Sequence, residues 1–293
     1  MTPLILIIPS TGPETVDKSL IGTTRIINPY TRTIDFIRRS NKGSKSPSPL
    51  TRPSVIFRIH PAEQPYLIYQ MGTSSPSLAV QAASLIAPDV AGIDVNAGCP
   101  KPFSTTGGMG AALLRTPDLL CSILSALVTE VGTPHQIGIS VKIRLLETEE
   151  ETGALVTALC KTGITGLTVH CRTTPMRPRE RAIRHHLRLI ASICHAHGVA
   201  CLMNGDVSSR AEAQTLIQEH NVDGAMIATA AESNPSCFRP ASTSEPFPFL
   251  PLLPWQTLVK DYLPLCLSTD NKYGNTKFML NHFIHGKDPV HRR

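Results

Sequence analysis

A chain of 293 residues with 41% hydrophobic residues fits one large domain, or one plus a small appendage, and it is too apolar for wholesale disorder. No apolar run approaches the ~20 residues of a membrane span, and residues 4–8, the longest aliphatic run near the start, lack the basic flank of a signal peptide. All eight cysteines lie from Cys99 onward without a C-x-x-C pair, which argues against a zinc ribbon and a disulfide scaffold and favours a reducing compartment.

The formal net charge of +6 is placed unevenly. Between Gly22 and Arg58 there are eight Lys/Arg against one acid, Asp35. Between Cys171 and Ile190 there are six Arg against one acid, Glu180. Two readings stand open: a solvated loop and a helix surface, or a single face that meets RNA phosphates.

In chain order, residues 4–8 have strand character, 43–54 form a Ser/Pro-rich loop, and 55–59 have strand character again. From residue 66 the pattern becomes regular. Short β-branched runs at 66–70, 92–96, 137–145, 166–170, 199–204 and 224–229 read as buried parallel strands. Helical segments lie between them. Ser75-Pro76 opens the first, and Thr116-Pro117 opens the second, with Leu119, Ile123, Leu124 and Leu127 as its apolar stripe. A third runs from about residue 149 to Gly163, a fourth covers 183–197 before Gly198, and Ser208 caps a fifth. Residues 240–254 hold five prolines and read as a linker, followed by two short helices at 255–267 and 275–284.

Repeated strand-then-helix units imply a (β/α)8 barrel or a doubly wound sheet. No strand leads into G-x-G-x-x-G, so the barrel is preferred. Polar and glycine residues cluster where the strands end, at Gln70-Met71-Gly72, Asn96-Ala97-Gly98-Cys99, Lys142, His170-Cys171-Arg172 and Asn204-Gly205-Asp206. In a barrel these ends converge on the C-terminal face, where active sites are built.

The segment GIDVNAGCPKPFSTTGGMGAALL at 92–114 resembles the signature of the tRNA-dihydrouridine synthases, in the wording of the eukaryotic enzymes acting on position 20 of tRNA. QMGTSSP, VKIRL, VHCRT, MNGD and MIATAAESNPSCF follow the same family pattern in order. The resemblance implies a TIM (β/α)8-type barrel that binds FMN over residues 1–239, a linker at 240–254 and a partial helical tRNA-binding domain at 255–293. The family's first strand, with its Ala-Pro-Met turn, has no counterpart here. Seven strands of eight are expected, with residues 4–8 as the second.

The implied activity is reduction of a tRNA uridine with NADPH as electron donor, a hydride passing from reduced FMN to C6 and a proton from Cys99 to C5. A thiol is mostly protonated at neutral pH and suits that role. Gln70 is expected on the isoalloxazine ring, Lys142 near the ring's N1 and O2, and His170 at the flavin or its phosphate. Asn204, Gly205, Asp206, Ala228 and Thr229 form the expected phosphate loops. Many family members carry Arg where this chain has Thr229, so phosphate binding there leans on backbone N–H groups. Asn96 is expected to orient the uracil and Arg172 the tRNA or flavin, with Arg177, Arg179 and Arg181 meeting tRNA phosphates. No metal and no membrane are expected, and the expected state is a monomer in the cytoplasm or nucleus. Two other readings are a catalytically weak tRNA-binding relative and an FMN barrel acting on a free pyrimidine.

Overall fold

The computed structural model describes residues 10–38, 53–239 and 251–284. In chain order the strands are β1 (Ser10–Thr11), β2 (Thr15–Val16), β3 (Thr24–Ile27), β4 (Ile34–Arg38), β5 (Ser54–Ile59), β6 (Leu67–Gly72), β7 (Gly92–Ala97), β8 (Gly138–Leu145), β9 (Gly166–Thr173), β10 (Ala200–Asn204) and β11 (Gly224–Met226). The main sheet is parallel in the order β1-β6-β7-β8-β9-β10-β11, with β2 also beside β6. Helices alternate with its strands from β6 onward, as in a TIM-type barrel. Among the described residues no pairing joins β11 back to β1, so the sheet is an open barrel.

The two faces of this sheet differ. Neighbours in register point to the same side. Tyr69, Ile93, Val95, Val141, Ile143, Leu167, Val169, Cys201 and Met203 fall on one side and are fully buried. The thiol of Cys201 meets that of Cys194 on the helix Leu187–Ala196, which identifies this as the helix-covered face. Each such side chain contributes about 1.5–3 kcal/mol of burial. The opposite face carries Gln70, Asp94, Asn96, Ser140, Lys142, Arg144, Thr168, His170 and Asn204. Parallel strands ordinarily bury apolar residues on both sides, so a polar second face marks a site rather than a core.

Helix starts follow local chemistry. Ser75 accepts from the Leu78 amide ahead of Pro76–Ile86, and Thr148 and Glu151 form a reciprocal capping box ahead of Glu149–Cys160. Three details differ from expectation. Ser209, not Ser208, caps Arg210–His220, because the Ser208 hydroxyl donates to Glu212. In Pro117–Leu127 the buried stripe is Leu120, Ile123, Leu124 and Leu127, with Leu119 only packing at its edge and no side-chain cap from Thr116. The fourth helix begins at Leu187 because Ile183 is held in extended contact with Cys171, its amide donating to that carbonyl at 2.7 Å.

The front of the chain is organised differently from its sequence pattern. Residues 4–8 lie outside the described residues, and the strand pieces beside β6 are β1 and β2. The run 55–59 is indeed a strand, but it joins β3 and β4 in a separate antiparallel sheet. The two C-terminal helices are Trp255–Ser268 and Tyr273–Phe283. Arg58 ties the small sheet to them by donating to the Thr269 and Asp270 carbonyls, and Lys272 donates to the Val55 carbonyl at 3.0 Å. No helix among the described residues is long and apolar enough to cross a membrane.

Candidate active site

The polar face is built in rows. In the lowest, Gln70, Asp94 and Ser140 stand side by side on β6, β7 and β8. Asp94 is 3% exposed; it accepts from Gln70 Nε2 at 2.9 Å and from Ser140 Oγ at 2.7 Å. Burial pushes its carboxyl up, against those two hydrogen bonds and the charge of Lys142. Because Gln70 donates through its nitrogen, its amide oxygen stays available, with no partner among the described residues. Asp94 carried no signal beyond being a lone acid inside an apolar run, and the sequence reading missed it.

One row up, Asn96 and Lys142 are neighbours in register. Burial draws the Lys142 ammonium down and the Asp94 carboxylate opposes that. Arg144 and His170 form the next pair with Asn204. Burial lowers the His170 imidazole to about 3, helped by the charges of Lys142, Arg144 and Arg172. Its ring is therefore neutral at pH 7. Arg172 Nη1 lies 3.3 Å from His170 Nε2. A guanidinium only donates, so Nε2 accepts and the proton sits on Nδ1.

Above these rows runs the loop that carries Cys99. Asn96 Oδ1 accepts from the amides of Gly98 and Cys99, both at 3.0 Å, and so closes an Asx-type turn at the end of β7. Arg144 Nε donates to the Gly98 carbonyl at 2.8 Å and Nη1 to that of Thr173 at 2.9 Å, which locks the loop to the ends of β8 and β9. Arg144 was not among the residues singled out in the sequence. The Cys99 carbonyl accepts from Ala111 at 2.9 Å. A side chain at Gly110 would collide with that carbonyl, so the tight packing requires glycine there. Cys99 is half-buried, with Lys142 and Arg144 as its cationic neighbours.

The β9 and β10 ends form a second group. Arg172, 5% exposed, donates Nη2 to Asp206 Oδ1 at 2.6 Å and Nε to the Glu180 carbonyl at 2.7 Å. The Ala182 amide donates to the other Asp206 oxygen at 2.8 Å. Partial burial raises the Asp206 carboxyl, but these two bonds and the charges of Arg172 and Arg184 outweigh it and hold the group below the ordinary carboxylate value. Arg184 Nη2 donates to the carbonyls of Gly205 and Asp206. Gly205, at φ +117°, and Asp206, at φ +52°, take this turn through left-handed backbone. Asn204 Nδ2 donates to the Met226 carbonyl at 3.0 Å and fastens β10 to β11. Asn96, Arg172, Asn204 and Asp206 thus use their side chains to shape the chain itself. Ala228 and Thr229 lie at the start of the short helix Thr229–Ser233, with no side-chain cap.

Arg177, Arg179 and Arg181 are exposed on the loop after β9. Arg179 and Arg181 line a cleft of about 510 Å³ with Arg172, Arg184, Asp206 and Glu212. In the other basic stretch Arg32 is exposed, residues 39–52 lie outside the described residues, and three arginines are committed internally. Arg25 forks onto Asp89 at 2.6 and 2.8 Å, Arg58 forks onto Asp35 with both bonds at 2.6 Å, and Arg38 donates to the carbonyls of Lys18, Ser19 and Ile21. Among the described residues no group of three or more His, Cys, Asp or Glu is placed to hold a metal ion.

Residues 49–287 match the family model described as Dihydrouridine synthase (Dus). The chain is 47% identical over 279 residues to the tRNA-dihydrouridine(20) synthase [NAD(P)+] of Schizosaccharomyces pombe, covering 94% of this chain and 54% of that protein. It is 45% identical over 282 residues to the protein of the same name from Saccharomyces cerevisiae, covering 94% of this chain and 70% of that one. The chain therefore spans about half the length of the first relative and about two thirds of the second. Among solved structures, DHODH from Eimeria tenella in complex with ferulenol aligns at a TM-score of 0.45 and 14% identity, over 59% of this chain and 55% of that one.

Proposed function

The chain belongs to the dihydrouridine synthase family, and on that premise we propose that it is an FMN-dependent enzyme that reduces a uridine of tRNA to 5,6-dihydrouridine with NADPH as electron donor. The observation that carries this reading is the polar face of the parallel sheet lying under the Cys99 loop. The donor set fits a flavin. Gln70 offers an amide oxygen with no internal partner, Lys142 offers a cation on the same face, and His170 is neutral with its Nε2 already engaged. At the expected phosphate end, an added Cβ on Gly205 would press on Ala182, Arg172 and His170, so the turn packs tightly enough to require glycine.

Bound FMN, once reduced, supplies a hydride to C6 of the uracil ring. The chain's own part is to position and to move a proton. Cys99 gives its thiol proton to C5, on a loop fixed by Asn96 and Arg144. Lys142 stabilises negative charge on the ring system from a buried position where Coulomb effects are large. Gln70 holds the ring edge, while Asn204, Gly205, Asp206, Ala228 and Thr229 shape the phosphate end. Arg177, Arg179 and Arg181 meet tRNA phosphates at the rim, where contacts of this kind set register and affinity. The protein works as a monomer on a metal-free site.

The test is product analysis. Purified protein is incubated with FMN, NADPH and tRNA lacking the modification, and the tRNA is digested and weighed. One nucleoside gaining two hydrogens supports the proposal; tRNA of unchanged mass with FMN bound to the protein refutes it.

A further inference from the structure

Glu14 precedes β2 and reaches the mouth of the barrel, although nothing described above employs it. Its Oε1 is buried and has no hydrogen-bond partner. The carboxyl lies against the end of β6: a Cβ added to Gly72 would stand 2.5 Å from that oxygen. Glycine at position 72 is thus what lets the carboxyl occupy this place. Burial pushes the Glu14 carboxyl up, and the neighbouring side chain that opposes this is Asn96.

The orientation of the Asn96 amide follows from the Cys99 turn. Asn96 Oδ1 accepts two backbone N–H groups, those of Gly98 and Cys99. Backbone amides only donate, so the amide oxygen of Asn96 must face the turn and its NH2 must face away. An NH2 group beside a carboxyl donates to it. Glu14 is the acceptor that faces this NH2, so it favours the same flip that the two backbone donors require. A flipped Asn96 would set its NH2 against two N–H donors and release the turn.

We propose that Glu14 is a positioning residue that fixes the Asn96 amide and through it the backbone of the loop carrying Cys99. The chain of contacts runs from Gly72, which makes room, to Glu14, to Asn96, to the amides of Gly98 and Cys99. Only the turnover readout below rests on the proposed reaction; the labelling readout needs neither flavin nor tRNA.

The experiment compares the full-length wild type with Glu14→Ala, Glu14→Gln and Gly72→Ala. The rate of iodoacetamide labelling is read at Cys99 by peptide mass spectrometry, with the half-buried Cys121 as internal control. Glu14→Ala is expected to speed labelling at Cys99 about fivefold, a loss of roughly 1 kcal/mol of loop order, while Cys121 keeps its rate. Glu14→Gln retains an acceptor oxygen and restores the Cys99 rate to within about twofold of wild type. Gly72→Ala displaces the carboxyl without deleting it, gives an intermediate rate, and keeps the test open if Glu14→Ala does not fold. In turnover, Glu14→Ala lowers kcat and leaves KM for tRNA unchanged. An unaltered Cys99 rate in both Glu14→Ala and Gly72→Ala overturns the proposal. So does an equal acceleration at Cys121, or a Gln variant no better than Ala. A wild type that labels as expected but never turns over removes the proposed reaction and leaves the positioning role intact.

Discussion

Strand β8 puts two chemistries on one backbone. Val141 and Ile143 point into the helix-covered core, and between and beside them Ser140, Lys142 and Arg144 point to the polar face. Both sets are largely removed from water, yet they do opposite things to the folded state. The apolar set holds the sheet and the helices together, whereas the polar set is stabilised only as far as its members satisfy one another, as Asp94 does with Gln70 and Ser140. A fold keeps such a face when a ligand completes it. The same contrast separates two sets of arginines among the described residues. Arg25, Arg38 and Arg58 are locked into the chain, while Arg177, Arg179 and Arg181 stand at the rim of the site.

These contrasts can be broken one side at a time. On the core side, Ile143→Ala is expected to cost about 2–5 kcal/mol of stability by urea unfolding, with FMN affinity of the folded protein retained. Arg58→Ala comes next, at about 3 kcal/mol, because it strands Asp35, which is 1% exposed. Its counterpart Arg179→Ala should leave stability within about 0.5 kcal/mol, while tRNA affinity falls and its salt dependence flattens. Equal stability losses in the two arginine variants would erase the distinction between the two sets. Lys142→Met reverses the core pattern: stability is held or slightly raised, and FMN affinity drops at least about tenfold, or about 1.4 kcal/mol.

A further effect is a pH dependence. The folded-state value of His170, about 3, lies below its ordinary 6.5, so between those values the unfolded chain binds the extra proton. Stability is therefore complete above pH 6.5 and declines as pH falls toward 3. Discounted for the ring's partial exposure, the loss is on the order of 1 kcal/mol. His170→Gln should remove that slope in a series of melts from pH 7 to 4. Asp35 and Asp206 keep theirs below the ordinary carboxylate range, since both carboxyls are held low in the fold.

Much of this was legible in the chain itself. The β-branched runs from residue 66 onward locate β6 to β11 to within a few residues, because buried parallel strands need continuous apolar segments and their helices carry recognisable caps. The grouping of Gln70, Asn96, Lys142, His170 and Asn204 followed from strand ends alone. Pairing partners were not legible. Residues 55–59 read as a strand, yet nothing local says that the partner is β4 in an antiparallel sheet. Arg25, in the basic stretch from Gly22 to Arg58, looked available because its acid, Asp89, lies far away in sequence. Asp94 and Arg144 were hidden inside apolar runs, where a single polar residue gains meaning only from its neighbours on other strands. Glu14 sits in a segment with no periodicity at all.

The central claim is that Cys99 delivers a proton to a tRNA base over a flavin-binding polar face. The most direct measurement is the reoxidation of the reduced, flavin-loaded protein by unmodified tRNA, followed by flavin absorbance without oxygen, for the wild type and Cys99→Ala. Rapid reoxidation is expected in the wild type and a rate lower by about 10²–10⁴ in the variant, with the flavin still bound in both. Equal rates in the two proteins would contradict it.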